Sequence, residues 1–162
     1  MRDTDSKEES APVGNAVIRR AKAYEQRSLE ELERRAGLAN PGDREALLAH
    51  PEVIEVPLAQ IVAGDVFVIE TNGAVAGFAA IKGKSDGETD LDGLFVDPVM
   101  QRRGFGRLLV EHCAAVARAK GSRYLYVIGN LHAEAFYLAT GFEPMGPCET
   151  RFGPALLMRK AL

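Results

Sequence analysis

Two glycines at the start of a predicted helix are the first residues whose spacing suggests chemistry. Gly104 and Gly106 follow a predicted strand that ends at Val96, and Arg103 and Arg107 flank them. A helix N-terminus presents unpaired N–H donors and the positive end of the helix dipole, and glycine lets an anion approach the backbone. The segment is a candidate pyrophosphate cradle. The alternative is a simple strand-to-helix turn, because short glycine motifs often match by chance.

The spacing of these glycines disfavours NAD and ATP. The dinucleotide fingerprint requires a third glycine where Leu109 stands, and the Gly-x4-Gly-Lys-Ser/Thr pattern of a triphosphate-binding loop does not occur. The three histidines and two cysteines have no paired metal-ligand spacing, so we expect no metal. Neither Cys113 nor Cys148 is expected to carry an acyl group.

A second segment whose residues could take part in catalysis or binding follows the next predicted strand. It runs from Asn130 through the pair Phe136-Tyr137 to Gly141-Phe142. Together with Gln101-Arg102-Arg103-Gly104-Phe105-Gly106, it resembles the GCN5-related N-acetyltransferase (GNAT) family, and the resemblance covers the chain from about Ala16 onward. It implies transfer of the acetyl group of acetyl-CoA to a primary amine, on a small molecule or a peptide. The motifs do not say which amine.

The resemblance also implies roles for particular positions. The end of the fourth predicted strand matches the segment whose main chain pairs with the pantetheine arm and whose N–H stabilises the oxyanion of a direct transfer. The loop that follows matches the pyrophosphate loop, and the residue after the fifth strand matches one that hydrogen-bonds the pantetheine arm. The positions carried over are Phe95, Val96 and Asp97 on the strand, Arg103, Gly104, Phe105, Gly106, Arg107 and Leu108 in the loop, and Asn130.

Tyr137 matches the general acid of the family. A phenol with the ordinary pKa of about 10 stays protonated at neutral pH and can donate to a departing thiolate, whose thiol has a pKa of about 8.5. Without the motif, Tyr137 would be interpreted as a core residue packed beside Phe136, since aromatic residues of amphipathic helices usually pack. With the motif, we expect a proton donor.

Two aspartates are candidates for the base that takes a proton from the acceptor ammonium. Asp90 matches a strand position where family members often carry Glu, and Asp92 is expected on the same strand face. Neighbouring carboxylates raise each other's pKa toward a useful value. The alternative is that Asp90 belongs to a solvated acidic loop with Asp86 and Glu88. His132 is interpreted as a solvent-facing residue.

The composition and charge of the chain limit the classes of partner that we expect. Its 162 residues are 46% hydrophobic and 27% charged, which is typical of one globular domain. A net charge of -3 without a basic run disfavours nucleic acid, and with it a toxin that acetylates aminoacyl-tRNA. No apolar run approaches the ~20 residues of a membrane span. We expect a cytoplasmic protein with reduced cysteines, and a homodimer is left open. The alternative function is a non-catalytic acyl-CoA-binding regulatory module.

The elements that must position these residues follow in the order strand, helices, a meander of three strands, helix, strand, helix, strand. Asn72-Gly73 predicts the first hairpin turn of the meander. Gly37 is expected to end a helix over Lys22–Ala36, and Asp43 to cap the next helix. A loop rich in Gly and Pro is expected before a last strand over Ala155–Leu162.

This order predicts an α+β fold with a strand-helix-strand crossover. We expect a single GNAT-like domain over residues 16–162, with a mixed central sheet of about six to seven strands flanked by helices. Residues 1–15 are rich in charged and small polar residues and are expected to form a flexible N-terminal tail.

Overall fold

The computed structural model of the protein describes residues 15–162, so residues 1–14 of the predicted tail lie outside it. Seven strands form one mixed sheet in the order β1-β2-β3-β4-β5-β7-β6, which confirms the predicted α+β class. The strands are β1 (Val17–Arg20), β2 (Val66–Thr71), β3 (Ala74–Gly83), β4 (Thr89–Val96), β5 (Tyr124–Gly129), β6 (Phe142–Thr150) and β7 (Gly153–Ala161). The helices are α1 (Gln26–Ala39), α2 (Arg44–Ala49), α3 (Leu58–Val62), α4 (Phe105–Ala119) and α5 (Glu134–Ala139).

Hydrophobic residues cover both faces of the sheet, because β2 and β3 are apolar at nearly every position. On one face, Phe67 and Ile69 pack with the buried stripe of α4 that includes Leu109. On the other face, Val66 and Val68 belong to the cluster that contains buried leucines of α1. Successive residues of a strand point to opposite faces, so one strand supplies both cores. The sheet is therefore a central layer between α1 and α4.

The strands β4 and β5 are parallel neighbours only over their first residues. Along the described strands, Thr89 pairs with Leu125 and Asp90 with Tyr126, and no later pair is formed. From there the two strands separate toward their ends at Val96 and Gly129. This separation opens the middle of the sheet.

Buried polar contacts fasten the closed end of this opening. The Glu88 carboxylate accepts hydrogen bonds from the main-chain N–H of Arg123 at 3.0 Å and of Tyr124 at 2.7 Å. The hydroxyls of Thr89 and Ser122 lie 2.7 Å apart. Glu88 is therefore a structural residue that joins the start of β4 to the start of β5, not part of a solvated loop.

A β-bulge interrupts β4 at Asp92. Leu91 lies opposite Ile81 and Gly93 opposite Ala80, so Asp92 has no partner on β3. Such an extra residue bends the strand and breaks its alternation of faces. The expectation that Asp90 and Asp92 share a face relied on that alternation, and the bulge removes its basis.

The structure corrects the sequence analysis at Gly37 and in the Gly/Pro-rich segment. Gly37 does not end the first long helix, which runs to Ala39; a Cβ at Gly37 would lie 2.9 Å from Leu47 Cδ2, so this glycine lets α1 and α2 approach closely. The Gly/Pro-rich segment is not a loop but the strand β6. Pro144 and Pro147 are tolerated there because β6 is an edge strand with one paired side and a bulge.

Candidate active site

The separation of β4 and β5 forms a cleft of about 730 Å³. The end of β4 lines one side and the end of β5 the other, while the N-terminus of α4 and part of α5 complete it. Clefts of this volume are typical of small-molecule and cofactor sites. The local cause is the short β4–β5 ladder, which leaves main-chain groups of both strands without a strand partner.

Val96 presents its main chain to this cleft. The N–H of Asp97 donates to the Ala76 carbonyl on β3 at 2.8 Å, and Phe95 lies opposite Phe78 two residues earlier in the same ladder. Alternate residues of a strand direct their N–H and C=O groups to opposite sides. The main chains of Phe95 and Asp97 therefore face β3, whereas those of Val96 and Leu94 face the opening. Leu94 was not singled out from the sequence.

The glycine-rich loop forms the entrance to α4 in the way the sequence predicts. Gly104 has a left-handed φ of 82°, and the first helical hydrogen bond runs from Leu108 N–H to the Gly104 carbonyl at 3.2 Å. The N–H groups of Phe105, Gly106 and Arg107 consequently have no partner within the helix, as an anion site requires.

The residues of this loop differ in their access to the cleft. Gly104, Phe105, Gly106 and Arg107 line it, whereas Arg103 and Leu108 do not; Gln101 and Arg102 line it instead. The Arg107 side chain donates to the Ala139 carbonyl at 2.9 Å and so ties α4 to α5. A Cβ at Gly106 would lie 3.2 Å from the Phe136 ring, so this glycine also serves packing.

Tyr137 is both packed and directed at the cleft. Its ring makes edge contacts with Phe136 and Phe142, with centroids 5.2 and 5.3 Å away. Among residues 15–162 its hydroxyl has no hydrogen-bond partner, yet no fully buried side-chain oxygen or nitrogen there is left unpaired. The hydroxyl therefore reaches the cleft surface. Burial, together with the nearby charge of Asp43, raises the pKa of Tyr137 to about 12.

Asn130 connects β5 to the start of α2. Its Oδ1 accepts from the Ala133 N–H at 3.0 Å, and its Nδ2 donates to Asp43 Oδ1 at 3.2 Å. Asp43 lies at the N-cap position of α2, as predicted, but its side chain makes no hydrogen bond that caps the helix. Burial raises the pKa of the Asp43 carboxyl, and the Asn130 bond and the charge of His132 oppose this.

A second cavity of about 300 Å³ adjoins the cleft between α1, α2 and the β6–β7 hairpin. The two share lining residues, namely Gly37, Asp43, Phe95, Ile128, Gly129 and Asn130. Thr150, Phe152 and Pro154 line its outer side, so the loop before β7 does shape a pocket.

Glu33 of α1 also lines this second cavity and was missed in the sequence, where a glutamate of an amphipathic helix indicates a solvated face. Burial is the main reason that the pKa of Glu33 is raised to about 7; the charges of Glu30 and Asp92 add to it, and Arg34 opposes it. Its placement depends on the packing of α1 over β4, which no local sequence pattern indicates.

The predicted aspartates are placed differently from each other. Asp92 lines the main cleft and accepts a hydrogen bond from Gln60 at 3.2 Å. Asp90 lines neither cavity and has Lys84 at 3.9 Å. Burial raises the pKa of the Asp90 carboxyl, with Lys84 opposing and the charge of Asp92 adding a smaller increase.

Other candidate groups lie away from the cleft. Burial raises the pKa of the Cys113 thiol to about 12, and both cysteines are free. Gly83–Gly87 fits the string Gly-x-Ser-x-Gly, but it joins two strands, whereas a nucleophile elbow joins a strand to a helix. Within residues 15–162 no cluster of three metal-ligating side chains occurs. None of the helices in this range is long and apolar enough to cross a membrane.

Several solved structures with this fold are described as acetyltransferases. YncA of Salmonella typhimurium, solved with its cofactor acetyl-CoA, is 23% identical with a TM-score of 0.69 over 91% of this chain and 94% of YncA. The PaiA N-acetyltransferase of Thermoplasma acidophilum, in complex with coenzyme A, is 18% identical with a TM-score of 0.71 over 91% and 99%. The ribosomal-protein-S18-alanine N-acetyltransferase of Escherichia coli is 24% identical with a TM-score of 0.65 over 90% and 93%.

The family follows from the sequence itself. The profile of the Acetyltransferase (GNAT) family matches residues 27–142, which is well over half of the chain. The protein therefore belongs to the GNAT acetyltransferase family, as the two motifs predicted. No curated protein matches the chain.

Proposed function

We propose that the protein is an N-acetyltransferase that moves the acetyl group of acetyl-CoA directly to a primary amine on a small molecule or a peptide. The observation that carries this proposal is the unpaired main chain of Val96, which faces the cleft between the separated strands. The free N–H groups at the start of α4 and the hydroxyl of Tyr137 line the same cleft. Family membership and the bound cofactors of YncA and PaiA support it.

The residues of the cleft fit acetyl-CoA by their chemistry. An extended pantetheine arm carries amide groups that can pair with the main chain of Leu94 and Val96 as a strand would. The N–H groups of Phe105, Gly106 and Arg107 can hold a pyrophosphate, and Arg102 adds positive charge at this end. When bound, acetyl-CoA supplies an acetyl group activated as a thioester.

Val96 and Tyr137 have distinct proposed roles. The Val96 N–H points where negative charge would develop on the acetyl oxygen, and a fixed donor stabilises such charge. Tyr137 stays protonated because its pKa is about 12. Since a thiol has a pKa of about 8.5, the Tyr137 hydroxyl stabilises the departing thiolate mainly by donating a hydrogen bond.

The experiment combines binding with turnover. Calorimetry with acetyl-CoA should give a one-to-one complex, and release of free CoA thiol should appear when primary amines and peptide N-termini are added. Acetyl-CoA binding without thiol release for any acceptor would favour a non-catalytic acyl-CoA-binding module. Absence of binding would overturn the proposal. A cytoplasmic location and a homodimer stay predictions of the sequence.

A further inference from the structure

We propose that the second cavity selects a small primary amine with an apolar body and no carboxylate, and that Glu33 accepts the proton this amine must lose. The inference rests on the proposed acetyl transfer. It adds to that proposal a substrate class and a proton acceptor on α1, in place of the two aspartates of β4.

The lining of the second cavity determines the class of amine. Most of its surface is apolar, from Leu47, Val53, Ile54, Phe95, Phe152 and Pro154. Its acidic side chains are Glu33 and Asp43, and no Lys or Arg of the described residues lines it. An ammonium group is attracted by such a lining, whereas a carboxylate would lose its hydration without gaining a partner. The volume of about 300 Å³ lies at the lower end of the range for small-molecule sites.

The cavity joins the cleft beside the proposed thioester position. Phe95 belongs to both linings and directly precedes Val96, whose main chain faces the cleft. Asp43 and Gly129 belong to both linings as well. An amine seated in the cavity therefore meets the cleft next to the group proposed to stabilise the oxyanion.

Glu33 differs from the acidic residues around it, Glu30, Asp43 and Asp92, by its lack of a partner. Among residues 15–162, no hydrogen bond or ion pair to the Glu33 carboxyl is formed. Glu30, one turn away on the same helix, accepts from the Val56 N–H at 3.1 Å, and Asp43 is held by Asn130. A carboxyl that is half-buried and unpaired beside a cavity is poised to take a proton.

Charged groups near Glu33 lie on α1 itself and on neighbouring elements. Glu30 and Arg34 lie on α1, and Asp92 faces it from β4. Asp43, with His132 nearby, lies on the same cavity. The charges of Glu30 and Asp92 raise the pKa of Glu33, and Arg34 lowers it. With burial as the main cause, the pKa is about 7, which suits a general base at neutral pH.

The proton step is balanced without any further reactant. An N–H bond of the ammonium breaks, its proton goes to a carboxylate oxygen of Glu33, and the electron pair stays on nitrogen for attack on the acetyl carbon. As the N–C bond forms, the C–S bond breaks and its electron pair leaves on sulfur. The nitrogen then gives its second proton to this thiolate, and CoA leaves as the thiol. Glu33 is then a neutral carboxylic acid and returns the proton to water after turnover.

Matched acceptors test the substrate class. With acetyl-CoA saturating, kcat/KM for 2-phenylethylamine should exceed that for L-phenylalanine by about 100-fold or more, because a carboxylate beside two acids costs several kcal/mol. A smaller difference, or a higher kcat/KM for phenylalanylglycinamide than for 2-phenylethylamine, would overturn the assignment.

The variant pair Glu33→Gln and Glu31→Gln tests the proton acceptor. Both remove one charge from α1, but Glu31 is exposed. Glu33→Gln should lower kcat at pH 7 by about 10²–10⁴-fold, and the loss should shrink as pH rises toward the pKa of the amine. Glu31→Gln and His132→Gln should keep the wild-type profile, and Glu33→Asp should recover part of the rate.

Acetyl-CoA affinity separates this inference from the proposed function. Glu33→Gln should bind acetyl-CoA as the wild type does and should unfold at a similar temperature. If the wild type acetylates amines but Glu33→Gln has an unchanged pH–rate profile, only the role of Glu33 fails. If the wild type does not bind acetyl-CoA, the proposed function itself fails.

Discussion

The ring of Tyr137 lies directly against the main chain of Gly129, where a Cβ atom would come within 3.0 Å of Tyr137 Cε2. Gly129 is the last residue of β5, so the end of this strand sets how deep the tyrosine sits in the cleft. The absence of a side chain at Gly129 therefore leaves room for the Tyr137 ring and helps to set the position of its hydroxyl.

Gly129→Ala should displace the Tyr137 ring by a few tenths of an ångström. We expect a loss of about 1–3 kcal/mol in the free energy of unfolding, since overpacking in a dense core has this cost. Turnover should fall as well. Chemical denaturation and kcat measure the two effects. Gly83→Ala is the control, because a Cβ there meets nothing within 4 Å. Equal stability of both variants would contradict the close contact.

Tyr137→Phe removes the proposed hydrogen bond to the thiolate and keeps the ring contacts with Phe136 and Phe142. We expect kcat to fall about 10²-fold, at the lower end of the range for acid catalysis, because the raised pKa makes this phenol a weak acid. The dissociation constant of acetyl-CoA should stay within a factor of a few. Full activity would reduce Tyr137 to a packing residue, and weaker binding with unchanged kcat would make it a cofactor contact.

Gly106→Val should weaken acetyl-CoA binding, because a branched side chain obstructs the free N–H groups at the start of α4. The same side chain also pushes on Phe136, whose ring is 3.2 Å from the Cβ position. Calorimetry on Gly106→Val and on the double variant with Phe136→Leu separates the causes. Affinity restored by the second change would assign the loss to packing, and affinity that stays low would assign it to the cradle.

Asp92→Asn should move the acidic limb of the pH–rate profile to lower pH. The charge of Asp92 raises the pKa of Glu33, so its removal lets Glu33 lose its proton at lower pH. Asp90→Asn should leave the limb in place, since Asp90 lines neither cavity. Rates measured between pH 5 and pH 9 decide the matter. If Asp90→Asn alone moved the limb, the base would belong to β4 after all.

Glu88→Ala should destabilise the protein in a pH-dependent way. Main-chain donors at Tyr124 and Arg123 hold the pKa of Glu88 below its usual value. A depressed carboxyl pKa contributes stability above its unfolded value of about 4.3, and the contribution is lost as pH falls toward the folded pKa. The difference in melting temperature from wild type should therefore be full at neutral pH and narrow in acid. Exposed Glu111→Ala should show no such difference.

Features governed by local geometry could be predicted from the sequence. Asn72 and Gly73 both have left-handed φ values, as their turn requires, and Gly104 opens α4 from the same region of backbone space. Alternating and helical periods likewise located the strands of the meander and the helix α4. The two family motifs could be found in the sequence because the residues of each motif lie close together along the chain.

Features governed by several elements at once needed the tertiary structure. A glycine such as Gly37 usually indicates the end of a helix, but here it lies where two helices pack closely. The prolines of β6 usually indicate a loop, but an edge strand tolerates them. The bond between Asp43 and Asn130 spans 87 residues, so neither side chain reveals its partner in the sequence.

Glu33 shows most clearly why some site residues cannot be found from the sequence alone. Its residue type and helical position are those of a solvated side chain, and the sequence alone determined that it lies on an amphipathic helix. Its raised pKa comes mainly from burial against other elements, and the charges of Glu30 on the same helix and of Asp92 on β4 add to it. Desolvation and charge interaction depend on distances through space, which only the packing of α1 over β4 decided.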